Sequence, residues 1–148
     1  MFLNQRYAQA LVVFRRAGQN REAMICDAYL LWEKARLVST TGSTARIKAF
    51  IAVASAFITC AQDSPSKQVN ESLAYYGTAG ECYSEAPDLK TAGDYYQMAE
   101  KYNEAARTYR EGGYFNEMAE VITQHRNTLD SGLLERLTMV AQMYYFKV

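Results

Sequence analysis

Between Gly93 and Val121 the chain reads GDYYQMAEKYNEAARTYREGGYFNEMAEV, which says nearly the same thing twice at a short interval. Laid on itself, the C-terminal half falls into columns thirteen residues apart: Ala79, Ala92 and Ala105, then Gly80, Gly93 and Ala106, then Tyr83, Tyr96 and Tyr109. Ala86, Ala99 and Gly112 form a fourth column, and Leu89, Tyr102 and Phe115 a fifth. Met118, Ala119 and Ile122 carry the register into a further copy. At about 3.6 residues per turn, a unit of this length holds one helix of two to three turns and a tight turn. The small pair stands three to four residues before the tyrosine, and the next small residue three beyond it, so one helical face alternates small and bulky groups. Ala or Gly lets a neighbouring helix approach closely while Tyr fills the space beside the approach. Neither feature serves an isolated helix, and one of about ten residues is marginal in water because nucleation is costly. The period therefore predicts stacking, in which each unit is stabilised by its sequence neighbours.

Turn signals agree with the period. Pro87-Asp88 and Gly112-Gly113 mark breaks between copies, and Asn103 and Asn116, each followed by a glutamate, are expected as N-caps. A degenerate copy opens the chain, where Ala10, Phe14, Ala17 and Ala23 reproduce the spacing and Asn20 takes the fifth column. Two longer helices are predicted between the repeat regions, over Arg21–Val38 and Thr44–Ala61; in the second, Ile47, Phe50, Ile51, Ala54, Phe57, Ile58 and Ala61 follow the i, i+3, i+4 rule. A last helix is expected over Gly132–Phe146 after the turn NTLDSG. The expected fold is all-α, about eight helices and no strand, arranged as a right-handed α-solenoid of antiparallel hairpins of tetratricopeptide-like type. Residues 1–148 are read as a single helical-repeat domain, with longer, degenerate helices over 1–62 and a regular short-helix array over 70–146.

Composition bounds the function. With 148 residues, 49% apolar and 22% charged, the chain has globular composition and length enough for a sizeable core. Its longest apolar run, Phe50–Ala61, is too short to cross a bilayer and reads as buried helix. Arg15 and Arg16 stand where a secretory cleavage site would need small residues, and Cys26, Cys60 and Cys82 are an odd, dispersed set without C-x-x-C spacing. The expected setting is intracellular, cytoplasmic or nuclear, with no membrane contact. Formal charge is balanced overall, yet residues 1–60 carry eight Lys/Arg against three Asp/Glu, net +5, and residues 61–148 eight against thirteen, net −5. Solvated faces are the plain explanation; electrostatic matching between the ends of an array, or between two copies, is the sharper one.

Catalytic constellations are not legible. The single histidine, His125, is placed to serve the last carbonyls of its helix, and no nucleophile or orienting acid accompanies it. Cys82 reads as a small buried side chain, and one histidine without paired cysteines does not suggest zinc. Glu81, Glu85, Glu100, Glu104, Glu111, Glu117 and Glu120 fall on polar faces. No catalytic, metal or cofactor site is expected, and no cofactor. Tyr83, Tyr96 and Tyr109 are core by register, whereas Tyr75, Tyr76, Tyr95, Tyr102 and Tyr114 are the candidates for contacting a protein or peptide partner. As an alternative, Arg15, Arg16, Arg21, Lys34, Arg36, Arg46 and Lys48 of the basic half are the candidates for binding nucleic acid.

Ala92–Glu120, AGDYYQMAEKYNEAARTYREGGYFNEMAE, looks like the tetratricopeptide-like arrays of vesicle-fusion adaptors and trafficking scaffolds. The ordered set AYLLWEKAR, AFIAVASAFITCA, AGECYSEA, AARTYREGGYFNEMAEVITQHR and AQMYYFKV resembles the helical region of large fungal UvrD-like helicase or TPR and ankyrin repeat-containing proteins. That resemblance covers nearly the whole chain and implies a piece of a longer multidomain protein. The ATP-binding function of such proteins does not carry over, because no G-x-x-x-x-G-K-[ST] loop is present. A non-catalytic scaffold for protein–protein or interdomain contacts is expected.

Overall fold

A computed structural model describes residues 2–16, 18, 20–37, 43–63 and 69–145, apart from the side chains of 2–7, 14 and 20. The described residues form eight helices and no strand: α1 (Phe2–Arg16), α2 (Asn20–Arg36), α3 (Thr44–Gln62), α4 (Val69–Glu85), α5 (Leu89–Met98), α6 (Tyr102–Gly112), α7 (Phe115–Gln124) and α8 (Ser131–Tyr145). All-α architecture and helix order follow the expectation. For the degenerate first copy, Ala17 and the side chains of Phe14 and Asn20 lie outside the described residues. The ends expected at Val38 and Phe146 do too.

Packing runs from each helix to the next along the chain, and α8 also touches α6. Arg21 at the start of α2 reaches the Cys60 carbonyl at the end of α3 and Glu71 at the start of α4. Arg46 at the start of α3 pairs with Glu85 at the end of α4. These contacts set α3 antiparallel to both α2 and α4. One core joins α2, α3 and α4 around Val53, Phe57, Cys60 and Cys82; a second joins α5 to α8 around Tyr109, Met118, Val121 and Leu137. Tyr83 packs against both and makes them continuous. A small cluster of Leu11, Ala23, Cys26 and Leu30 ties α1 to α2.

The small column does what its size suggests. Ala79, Ala92 and Ala105 are fully buried, each at 0% exposure. A methyl group on Gly80 would stand 3.0 Å from the ring of Tyr96, and one on Gly93 would stand 2.4 Å from the ring of Tyr109. Each glycine therefore carries the tyrosine of the next unit against its bare backbone. In the following step the corresponding positions hold Ala106 and Ile122, both buried in the same core. The buried Tyr109 hydroxyl donates to Asp94 and accepts from Gln97 Nε2 at 2.9 Å. One unit earlier, Tyr96 meets Ser84, the counterpart of Gln97.

The turns repeat as well. Positive φ occurs at Pro87 (21°), Glu100 (60°) and Gly113 (79°), and the next residue donates its N–H back to the tyrosine column. Asp88 N reaches Tyr83 O at 2.9 Å, Lys101 N reaches Tyr96 O at 2.8 Å, and Tyr114 N reaches Tyr109 O at 2.8 Å. At Glu100 and Gly113, whose own N–H groups also reach Gln97 O and Arg110 O, this is the Schellman closure, which satisfies helix-end carbonyls through a left-handed residue. Pro87 has no N–H, so that turn keeps only the outer bond. The chain then re-enters a helix at once, which corrects the capping expectation. The caps of α6 and α7 are Lys101 and Tyr114, neither of which gives a side-chain cap bond. Asn103 and Asn116 lie inside the first turn, and their amide oxygens instead accept from Asp130 N and from the Tyr145 hydroxyl, tying α6 and α7 to the two ends of α8. Elsewhere capping is conventional: Ser43 caps α3 through Arg46 N, and Asp88 caps α5 through Thr91 N.

The apolar run in α3 sits in a helix longer than itself. The helix has 19 residues, and its most apolar 18-residue window has mean hydropathy 1.4, long and apolar enough to cross a membrane by length and composition alone. Phe50, Val53, Ala54, Phe57, Cys60 and Ala61 of this helix are buried in the protein.

Glu100 holds a left-handed conformation that costs an L-residue about 1–2 kcal/mol. Glu100→Gly is expected to stabilise the fold by about 0.5–1 kcal/mol in urea unfolding, whereas a glycine placed in a helix interior destabilises.

Candidate interaction surface

The five candidate partner-binding tyrosines divide by position. Tyr75 is buried in the α2–α4 core and donates its hydroxyl to Glu71 at 2.7 Å, so it supports the fold and offers nothing to a partner. Tyr95 stacks on Tyr76 (6.2 Å, 17°) and on Tyr83 (5.6 Å, 5°), zipping α5 to α4 with half-buried rings. Tyr102 carries the His125 ring flat on its own at 3.6 Å and 12°. That placement replaces the role expected for His125: its backbone N–H caps α7 at Val121 O, and its side chain goes to the tyrosine rather than to helix-end carbonyls. Tyr114 is the exposed member. Further exposed apolar groups that the period did not flag are Met139, Met143, Tyr144 and Tyr145 on α8, beyond the last copy of the repeat.

The seven basic candidates are likewise not one patch. Arg21 and Arg46 are held in the ion pairs to Glu71 and Glu85, both at 3.1 Å. Arg36 lies over the Trp32 ring at 4.1 Å and bonds Glu33 at 2.9 Å. Arg15 and Arg16 are exposed on α1, Lys34 on α2 and Lys48 on α3. Part of the opposed charge of the two halves is thus consumed inside the chain, where basic residues of α2 and α3 meet acidic residues of α4.

The Arg46–Glu85 pair and Arg36 border a concavity. A pocket of about 390 Å3 is lined by Trp32, Arg36, Arg46, Phe50, Glu81, Cys82, Ser84, Glu85 and Tyr96. Trp32, Phe50 and Tyr96 contribute rings to its lining. Both guanidinium groups rest on rings, Arg36 on Trp32 and Arg46 on Phe50 at 4.7 Å, which fixes their planes. From α4 the lining includes Glu81 and Glu85. The sequence pattern missed this convergence because its members come from four helices and follow no common period.

All three cysteines are free and buried. Burial pushes the Cys60 thiol up to about 11 and the Cys82 thiol up to about 12, which suppresses the reactive thiolate. Among the described residues no group of three or more His, Cys, Asp or Glu side chains is arranged to hold a metal ion. Comparison with protein-family models, with curated proteins and with solved structures found no match.

Burial, and then the bond to a carboxylate, raises the phenols of Tyr75 and Tyr109 above their ordinary value of 10.0. Below that pH both groups are protonated whether the chain is folded or not, and their packing contributes fully. Above it the unfolded phenols ionise first, so folding stability falls as pH rises. Melting temperature is expected to decline above about pH 10. Tyr75→Phe and Tyr109→Phe are each expected to flatten that decline; an equal slope in both variants would reject the assignment.

Proposed function

We propose that this chain is a non-catalytic helical-repeat scaffold, an α-solenoid of antiparallel hairpins that mediates protein–protein or interdomain contacts. Its resemblance to the helical regions of UvrD-like helicase and TPR and ankyrin repeat-containing proteins makes it a candidate segment of a larger helicase-like protein. The observation that carries the reading is the coincidence of the thirteen-residue period with neighbour-to-neighbour packing. An array built this way has faces whose side chains are not needed for folding, and those faces serve binding. A pocket bearing two ring-backed arginines and two glutamates is suited to holding a polar segment of another protein.

Nucleic-acid binding by the basic half is the competing reading. It would draw chiefly on the exposed Arg15, Arg16, Lys34 and Lys48, since Arg21, Arg36 and Arg46 would each first have to exchange an acidic partner in the chain.

The two readings separate in one experiment with the intact chain as bait. The scaffold reading expects specific protein partners from native extract, and no retention of single-stranded DNA or RNA at low salt. Salt-sensitive nucleic-acid retention without protein partners would contradict it.

A further inference from the structure

Glu85 is the last residue of α4, where the negative end of the helix opposes a carboxylate, yet it is the residue that Arg46 holds. The two members are unequally fixed. The Arg46 side chain is 17% exposed and lies over Phe50, whereas that of Glu85 is 55% exposed. The arginine is part of the pocket wall and the glutamate is the loose partner. Arg36 shows the converse arrangement: it is the last residue of α2, where a cation is favoured, and its partner Glu33 is not among the residues lining the pocket.

Resting on the reading of this chain as a protein-interaction module, we infer that the pocket receives a side-chain carboxylate from an acidic protein segment, with Glu85 as its built-in competitor. The incoming carboxylate takes the place of Glu85 on Arg46 and also meets Arg36, which lines the same pocket and keeps donors beyond the one given to Glu33; guanidinium groups offer carboxylates a planar donor geometry. The incoming group carries no helix-end penalty, which offsets part of the advantage that Glu85 has from being tethered beside Arg46. Trp32, Phe50 and Tyr96 supply apolar contact for the methylene stem. Glu81 on the same wall leaves the pocket with little net positive charge, which suits a single negative charge and disfavours a phosphate dianion.

Fluorescence anisotropy with the whole chain tests this, using a fluorescein-labelled glutamate-rich peptide, its glutamine counterpart and a phosphoserine counterpart. The glutamate peptide binds, the glutamine peptide does not, and the phosphoserine peptide binds more weakly than the glutamate one. Arg36→Ala and Arg46→Ala each weaken binding by about tenfold, the size of a lost charge-assisted hydrogen bond. Glu85→Gln tightens it by about two- to fivefold, because a surface ion pair is removed from the competing state. A gain of affinity cannot arise from misfolding, so that variant guards against an unstable Arg46→Ala. The proposal is overturned if the glutamate peptide fails to bind, if the phosphoserine peptide binds more tightly, or if Glu85→Gln leaves affinity unchanged or lower. Recovery of the same protein partner from extract by wild type and by the Arg36→Ala/Arg46→Ala double variant would sink the pocket while leaving the scaffold reading in place.

Discussion

The structure depends on how closely the backbone at Gly80 and Gly93 lets a tyrosine ring approach. Helices of 10 or 11 residues, such as α5, α6 and α7, do not persist alone in water. Their stability has to come from faces buried against the next helix, and the tyrosine rings are the largest groups on those faces. At Gly93 the ring of Tyr109 occupies the volume a methyl group would need. A β-carbon there would push α6 away from α5 and carry α7 and α8 with it, since each packs on its predecessor. The polar end of the ring is handled within the same step: Asp94 and Gln97, on the helix that carries the glycine, take up the hydroxyl. Glycine, ring and hydroxyl partners thus form one unit of construction, and the previous step has the same plan with Gly80, Tyr96 and Ser84.

Much of this was legible in the sequence because the repeat is a local code. Column positions named the buried alanines, the glycine–tyrosine face and the helix order, all of which depend on residues thirteen apart. Turn chemistry was harder to read. Gly113 announces a left-handed turn, but Glu100 adopts one with no compositional signal, because closure onto the Tyr96 carbonyl decides the conformation there. Asn103 and Asn116 misled for the same reason: their preference for capping is real, but the helix has already restarted and their amides find α8 instead. Tyr75 looked available because it lies outside the tyrosine column, yet α3 presents Phe57 to it and it is buried. The pocket could not be read at all, since Trp32, Arg46, Glu85 and Tyr96 meet only after four helices have packed.

Charge follows a similar logic. The excess of cations in the first half and of anions in the second suggests attraction between ends, and the folded chain uses it at short range, through Arg21 with Glu71 and Arg46 with Glu85. These partly exposed pairs contribute modestly to stability, on the order of 1 kcal/mol or less each. Their larger effect is on register, because each fixes one end of α4 against its predecessors. The same arrangement gathers two guanidinium groups and two carboxylates around one concavity, so the geometry that orders the helices also creates the surface with the most chemical character.

The most direct test of the central claim is a double-mutant cycle in urea unfolding between Gly93→Ala and Tyr109→Leu. If the ring fills the space above a bare backbone, the alanine is costly beside tyrosine, by about 1–3 kcal/mol, and costs at least about 1 kcal/mol less once the ring is gone. Effects that add to within about 0.5 kcal/mol would show that glycine and ring do not meet, and would contradict the account.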